Sequence, residues 1–191
     1  MTTWGVAVEA TSKEKAEFRD LAYKSIREDV KLCLGSYAFL WGHKQEQTPT
    51  WYGLFTKEGN ATQSIDVLNN YWGNNDRNRA PIIHSFLLNS NDKKESVKIK
   101  RGKDCVFTYE VTDSDNDSLV YIFQLMPEST DKKSGGDFEK TPEPITFKVV
   151  EKSNNKIVIK APSRSGPYRF FIYIRDNNKN VATANIPFYV N

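Results

Sequence analysis

Leu32-Cys33-Leu34-Gly35-Ser36-Tyr37-Ala38-Phe39-Leu40-Trp41 is a nearly continuous apolar run that stops at Gly42. It lacks the polar alternation of a half-exposed strand, so it reads as a β-strand buried on both faces, the pattern of a parallel sheet. A helix is expected before it. Thr11-Ser12-Lys13-Glu14 offers a hydroxyl N-cap with a carboxylate three residues on, a capping box. Phe18, Leu21, Ala22, Ser25 and Ile26 then recur at helical steps, giving one buried stripe on a helix that ends near Asp29. After the run, a polar and aromatic loop reaches about Lys57, and a second helix from about Ala61 to Trp72 carries Ile65, Leu68 and Trp72 on one side. The order helix, strand, loop, helix does not close a domain, because one parallel strand leaves its ladder groups unpaired and both helices without a sheet to cover. The rest of that sheet is expected upstream of Met1, unless these helices pack on the second half of the chain.

The texture changes near residues 74–81, where Asn, Asp, Arg and Pro replace helical periodicity and suggest a linker. Beyond it, period-two segments recur at Ile82 to Leu88, Val97 to Lys100, Cys105 to Val111, Leu119 to Leu125, Ile145 to Val150, Lys156 to Ile159, Tyr168 to Arg175 and Val181 to Val190. Short strands at this density predict a two-sheet, immunoglobulin-like β-sandwich over residues 82–191. The Cys…Trp…Cys signature of antibody domains is missing, so the sandwich depends on an apolar core, with Phe107, Tyr121, Phe123, Phe170, Ile172 and Ile174 as candidates. Cys33 and Cys105 fall on opposite sides of the linker and are read as two buried thiols. The fold class is α+β overall, with a partial βα segment in residues 1–73 and an all-β sandwich after it.

Composition excludes several roles. The formal charge of +3 comes from acids and bases spread along the chain, unlike the clustered Lys and Arg of a nucleic-acid binder. No apolar stretch approaches the ~20 residues of a spanning helix, and the Met1 end has no basic segment followed by an apolar core. His43 and His84 lie in different halves without Cys/His spacing, so no metal and no cofactor are expected. Asp113-Ser114-Asp115-Asn116-Asp117 has alternating carboxylates, but Ser118 and Gln124 stand where an EF-hand needs Gly and Glu. The stretch resembles the Asp-rich inter-strand turns of cadherin-like and PKD-like sandwiches. A tight polar turn and a calcium site are the two readings of it.

The densest polar and aromatic constellation is Trp41-Gly42-His43-Lys44-Gln45-Glu46-Gln47-Thr48-Pro49-Thr50-Trp51-Tyr52. In a βα barrel, the loop after a strand forms the face where active sites are built. Rings such as Trp41 and Trp51 suit the C–H faces of a sugar, while Lys44, Gln45, Glu46 and Thr50 can hydrogen-bond its hydroxyls. The alternative is that the rings cap an apolar core and the polar groups are solvated.

The stretch Leu34 to Phe55, with its Trp-Gly-x-Lys-Gln-Glu-x-Thr-Pro-Thr-Trp-Tyr string, resembles the last strand and following loop of TIM-barrel glycoside hydrolases similar to family 2 catalytic domains. Ala7 to Ala16 is similar to the segment before that strand's helix. His43 departs from the pattern, where Gln is expected. The resemblance implies that residues 1–73 are the TIM-barrel-end segment, that Trp41 is an aromatic platform beneath the sugar, and that Lys44, Gln45 and Glu46 line the pocket rim. It implies a carbohydrate substrate for the parent barrel and catalytic carboxylates on earlier strands. No catalytic residue is therefore expected within this chain; Glu9 and Glu46 are the only carboxylates in plausible positions. A secreted, periplasmic or cell-surface parent follows from the same likeness. A non-catalytic carbohydrate- or protein-binding surface module is the alternative.

Overall fold

Thr11 opens the first helix as its spacing requires: the Thr11 hydroxyl accepts from the Glu14 amide at 3.2 Å, and the Glu14 carboxylate accepts from the Thr11 amide at 2.6 Å. In the computed structural model, which describes residues 1–73, 76–133 and 136–191, this helix α1 spans Ser12–Glu28 and is capped by Asp29. A two-residue strand β1 (Ala61–Thr62) leads into α2 (Gln63–Trp72), which ends on Gly73 in the left-handed conformation. The strands that follow are β2 (Ile82–Leu88), β3 (Lys98–Ile99), β4 (Asp104–Thr112), β5 (Val120–Pro127), β6 (Val149–Lys152), β7 (Lys156–Lys160), β8 (Gly166–Arg175) and β9 (Asn180–Val190).

These strands form two sheets. One has the order β1-β9-β8-β5, with β3 also on β9; the other runs β2-β4-β7-β6. All pairs are antiparallel except the two short strands, β1 and β3, which run parallel to β9. Between the sheets lies a core in which Phe107, Phe170, Ile172, Ile174 and Phe188 are fully buried. Phe107 stacks on Phe170 with centroids 4.1 Å apart. Tyr121 and Phe123 pack against this core from its margin and are only partly buried. The chain is thus mostly β, a sandwich with two helices beside it.

The helices dock on the sandwich instead of standing apart. A second apolar cluster joins Tyr23 of α1 to Leu54, Ala61, Ile65 and Leu68. The Ser12 hydroxyl accepts from the Thr183 amide of β9 at 3.0 Å and donates to Gln63 at 3.1 Å. Residues 76–81, expected as a linker, are pinned: the Ala80 amide donates to Asp66 at 2.9 Å and the Arg79 amide to Asp115 at 2.7 Å. Asn74 and Asn75 lie outside the described residues.

Three expectations need correction. Leu32 to Trp41 forms no strand, and Leu32, Leu34 and Tyr37 are exposed to 85%, 104% and 103%. Among the described residues the run pairs with no strand; its Leu40 carbonyl accepts from the Leu54 amide and its Phe39 carbonyl from Arg19. The helix stripe is also different: α1 buries Ala16 and Tyr23 against its neighbours, while Phe18 and Leu21 face solvent. Of the expected stripe, Ile26 packs against the second cluster and Ala22 is half-buried. Of the two thiols, Cys105 is buried, with burial foremost pushing its pKa up to about 12, but Cys33 is only half-buried.

Candidate functional site

The loop from Trp41 to Tyr52 is held closed at its base. The Leu54 amide donates to the Leu40 carbonyl at 3.1 Å and the Phe55 amide to the Gly42 carbonyl at 3.3 Å. A Cβ on Gly53 would lie 2.6 Å from the Phe55 carbonyl oxygen and 2.9 Å from that of Gly42, so only glycine fits this crossing. From this base Trp41 leans on Phe55 at 5.1 Å and Trp72 at 6.2 Å, leaving much of the indole exposed. Phe39 meets Tyr52 edge-on at 5.6 Å, and Tyr52 meets half-buried Trp51 at 6.4 Å.

The polar residues of the loop divide into three environments. Lys44 and Glu46 form an ion pair of 2.6 Å at the rim. Gln45 is buried to 7% exposure, and neither its amide nitrogen nor its oxygen has a partner among the described residues. Thr50 is drawn inward, its hydroxyl donating to Glu9 at 2.8 Å. The six sequence-predicted residues thus do not converge on one point: Trp41 lies in the aromatic cluster, Lys44 and Glu46 pair with each other, and Thr50 belongs to a buried network.

Glu9 is the centre of that network. It is 3% exposed and accepts from Lys15 at 2.5 Å, Thr48 at 2.5 Å, Thr50 at 2.8 Å and Asn185 at 2.6 Å. Burial pushes its pKa up, but Lys15, Thr48 and Arg169 outweigh that and hold it below the ordinary carboxylate value. Arg169 donates to Glu128 at 2.8 Å, to Asn185 at 2.6 Å and to the Ala7 carbonyl at 2.6 Å. Burial leaves the Glu128 carboxyl above its usual value in spite of Arg169. Such a set of saturated partners fixes the N-terminal segment on the sheet and has no lone pair or proton to spare for catalysis. Glu46 is tied to Lys44.

Behind the loop, on the outer face of β5 and β8, lies a cleft of about 450 Å³ that the sequence reading missed. Ile122, Gln124, Met126, Tyr173 and Arg175 form its floor, and His43, Thr50, Asn60 and Pro142 stand among its walls. The His43 ring donates to the Pro49 carbonyl; burial holds its pKa below the ordinary value, opposed by that bond and by Glu58. Burial, then Glu9 and Glu58, push the Tyr173 phenol upward, so it stays a hydroxyl donor. The signal was available: Gln124 and Arg175 are polar residues on the face of their period-two segments opposite Phe123, Leu125, Ile172 and Ile174.

In the Asp113 to Asp117 turn, one oxygen from each of the three carboxylates lies within 4.8 Å of the others. Asp113 accepts from the Asp115 and Asp117 amides at 3.0 Å each, and Asp117 accepts from Asn78 at 2.6 Å and Asn178 at 3.1 Å. These bonds knit the β4–β5 turn to residues 76–81 and to the β8–β9 turn. No helix among the described residues is long and apolar enough to cross a membrane.

No family model and no curated protein matches the chain. Among solved structures it is similar to a nucleoside hydrolase-related hypothetical protein from Saccharophagus degradans that is associated with carbohydrate metabolism, at 17% identity and a TM-score of 0.38, over 73% of this chain and 34% of that one. It is also similar to PcoC, a methionine-rich copper resistance protein from Escherichia coli, at 15% identity and a TM-score of 0.34, over 59% of this chain and 99% of that one. Murine CRIg gives 10% identity and a TM-score of 0.32, over 58% and 95% of the two chains. The chain spans about a third of the length of the first of these.

Proposed function

We propose that this chain is the C-terminal portion of a glycoside hydrolase: the closing βα segment of a TIM barrel similar to family 2 catalytic domains, followed by an accessory immunoglobulin-like sandwich. It contributes sugar-contacting residues at the Trp41 to Trp51 loop and not the catalytic carboxylates, which belong to earlier strands of a secreted, periplasmic or cell-surface parent. The single observation that carries this reading is the exposure of Leu32, Leu34 and Tyr37 directly ahead of that loop. With Phe39, Trp41, Tyr52 and Trp72 also open, the apolar surface is on the order of 1,000 Å², given ~150–250 Å² per aromatic side chain, and exceeds the ~800 Å² per partner of a standard interface. A strand-length apolar run without a strand beside it fits a barrel wall whose neighbours are supplied elsewhere. Gln45, buried without partners, fits the same missing surface, since an unmade buried hydrogen bond costs about 1–3 kcal/mol.

Immunoblotting of source cells with an antibody to this chain should reveal a polypeptide much larger than 21.9 kDa, and the immunopurified protein should hydrolyse an aryl-glycoside. The isolated chain should not. A native polypeptide of only 21.9 kDa, or turnover by the isolated chain that Glu46→Gln abolishes, overturns the reading.

A self-supporting binding module is the second reading, favoured by the bonds from Arg169 to the Ala7 carbonyl and from Asn185 to Glu9, which lock the helical segment onto β8 and β9. A small native polypeptide without hydrolase activity is the outcome that selects it.

A further inference from the structure

The cleft over β5 and β8 has a floor that the fold itself does not use. Arg175, Tyr173 and Gln124 are each half-buried, and none of their side chains has a hydrogen bond or ion pair among the described residues. The register explains why they meet. Tyr173 and Arg175 alternate along β8 onto the same outer face, and Ile122 of β5 stands opposite Tyr173. Val181 of β9 pairs with Arg175 on the other side. Three neighbouring polar groups without protein partners, their polar atoms still open to the cleft, form a face that the fold leaves available to a ligand, and the guanidinium offers the most donors among them.

Charge narrows what would compensate it. Lys57, Glu58 and Glu143 also line the cleft, but all three are exposed at its rim, where solvent and salt screen them. His43 is held toward its neutral form. Arg175 is the cation on the cleft floor, with the Glu9 and Glu58 charges near enough to act on Tyr173, and its planar fork matches a carboxylate through two parallel bonds. Around it stand hydroxyl-directed groups, the Tyr173 phenol and the Gln124 amide, and apolar surfaces at Ile122, Met126 and Pro142. The volume of about 450 Å³ lies in the range of small-ligand sites.

We propose that this cleft binds a carboxylate-bearing sugar, a uronic acid residue at the end of a glycan, with Arg175 clasping the carboxylate and Tyr173 and Gln124 binding ring hydroxyls. The saccharide part of this assignment rests on the carbohydrate role proposed above; the carboxylate part rests on Arg175 alone. The site is separate from the Trp41 platform and shares only Thr50 with the residues read from sequence. It makes the sandwich face a glycan-holding surface, not a spacer.

Amide chemical-shift titration of the full chain at neutral pH tests this with sodium galacturonate, galactose and sodium acetate as probes. Galacturonate should shift the amides of β5, β8 and the 141–144 segment, and bind at least about tenfold more tightly than either galactose or acetate. Arg175→Gln should reduce galacturonate affinity to that of galactose while leaving the melting temperature in place, and Lys57→Gln should change it less than about threefold. Equal binding of galactose and galacturonate, equal binding of acetate, no shifts at all, or an unaffected Arg175→Gln variant each overturns the proposal. Should Arg175→Gln fail to fold, Arg175→Lys replaces it: the charge is kept but the fork is lost, and galacturonate affinity should still drop. Because the cleft is built from this chain alone, these results are independent of the size of the native polypeptide, so the two readings fail separately.

Discussion

Replacing Glu9 with Gln should destabilise the chain far more than its single lost charge suggests. Glu9 holds Lys15, Thr48, Thr50 and Asn185 at once from a site that is 3% exposed. A Gln in its place keeps the shape but presents an amide NH₂ to donors, so at least one buried donor loses its acceptor and the Lys15 ammonium loses its counter-ion. Breaking one partner of a buried pair costs about 3–5 kcal/mol. Lys15 retains some solvent access, with 22% of its side chain exposed, which places the expected loss near the lower end, about 3 kcal/mol. For a chain of this size that is a fall in melting temperature of roughly 6–12 °C. Urea unfolding followed by fluorescence and circular dichroism measures it, with Glu17→Gln as the control, since the exposed Lys13–Glu17 pair is worth only about 0.3–0.5 kcal/mol. The same pair of proteins should differ in acid. The pKa of Glu9 is depressed in the fold, so its contribution is complete above the ordinary value of 4.5 and is lost as pH falls through the folded value. Glu128, with its pKa raised, has the opposite sign and partly flattens the acid limb of the parent. The stability gap between parent and Glu9→Gln should therefore narrow as pH drops below 4.5. A loss below about 1 kcal/mol, or a gap that widens in acid, refutes the view of Glu9 as the keystone joining the helical segment to the sheet.

Other outcomes follow from the same geometry. Gly53→Ala should cost about 1–3 kcal/mol and open the base of the loop, read as faster proteolysis between residues 41 and 52, because its Cβ meets two backbone carbonyls. The triple change Leu32→Ser, Leu34→Ser, Tyr37→Ser should leave stability within about 0.5 kcal/mol and lower binding of an apolar dye, since these side chains are exposed. Phe107→Ala, in contrast, should cost about 3–5 kcal/mol in urea unfolding. A thiol reagent under native conditions should label Cys33 and spare Cys105, whose thiol is buried and pushed up to about 12; labelling of Cys105 at the rate of Cys33 contradicts the packing.

The sandwich was legible because alternation is a direct record of burial. Every strand from β2 to β9 overlaps or lies at the edge of a period-two segment, and the capping box at Thr11 and Glu14 marks the start of α1 to the residue. Short parallel pieces were less so: Ala61–Thr62 pairs with β9 although nothing in two residues declares a strand. The site was the least legible part. Glu9 stands out in the sequence only as a carboxylate in a plausible position, and its buried partners emerge once Asn185, far away in sequence, is folded against it. Arg175 and Gln124 could be seen only as interruptions, because an alternating pattern says which face a residue takes and not whether that face is covered.

Leu32 to Trp41 shows where a local pattern stops being informative. An apolar run states that its side chains need cover, and hydrophobicity carries no label for who supplies it. Inside one chain, burial and pattern normally agree, and their disagreement in this run is the physical content of the segment. The same holds for α1, which presents Tyr23 to α2 while Phe18 and Leu21 on its other stripe remain open. Two adjacent elements with unused apolar faces, joined by the Arg19 bond to the Phe39 carbonyl, make the uncovered surface a shared property of residues 18–41 and not an accident of one loop. The sandwich is what lets such a surface persist: the Glu9 and Arg169 network fixes the helical segment on β8 and β9, so the open apolar side chains are held without unfolding.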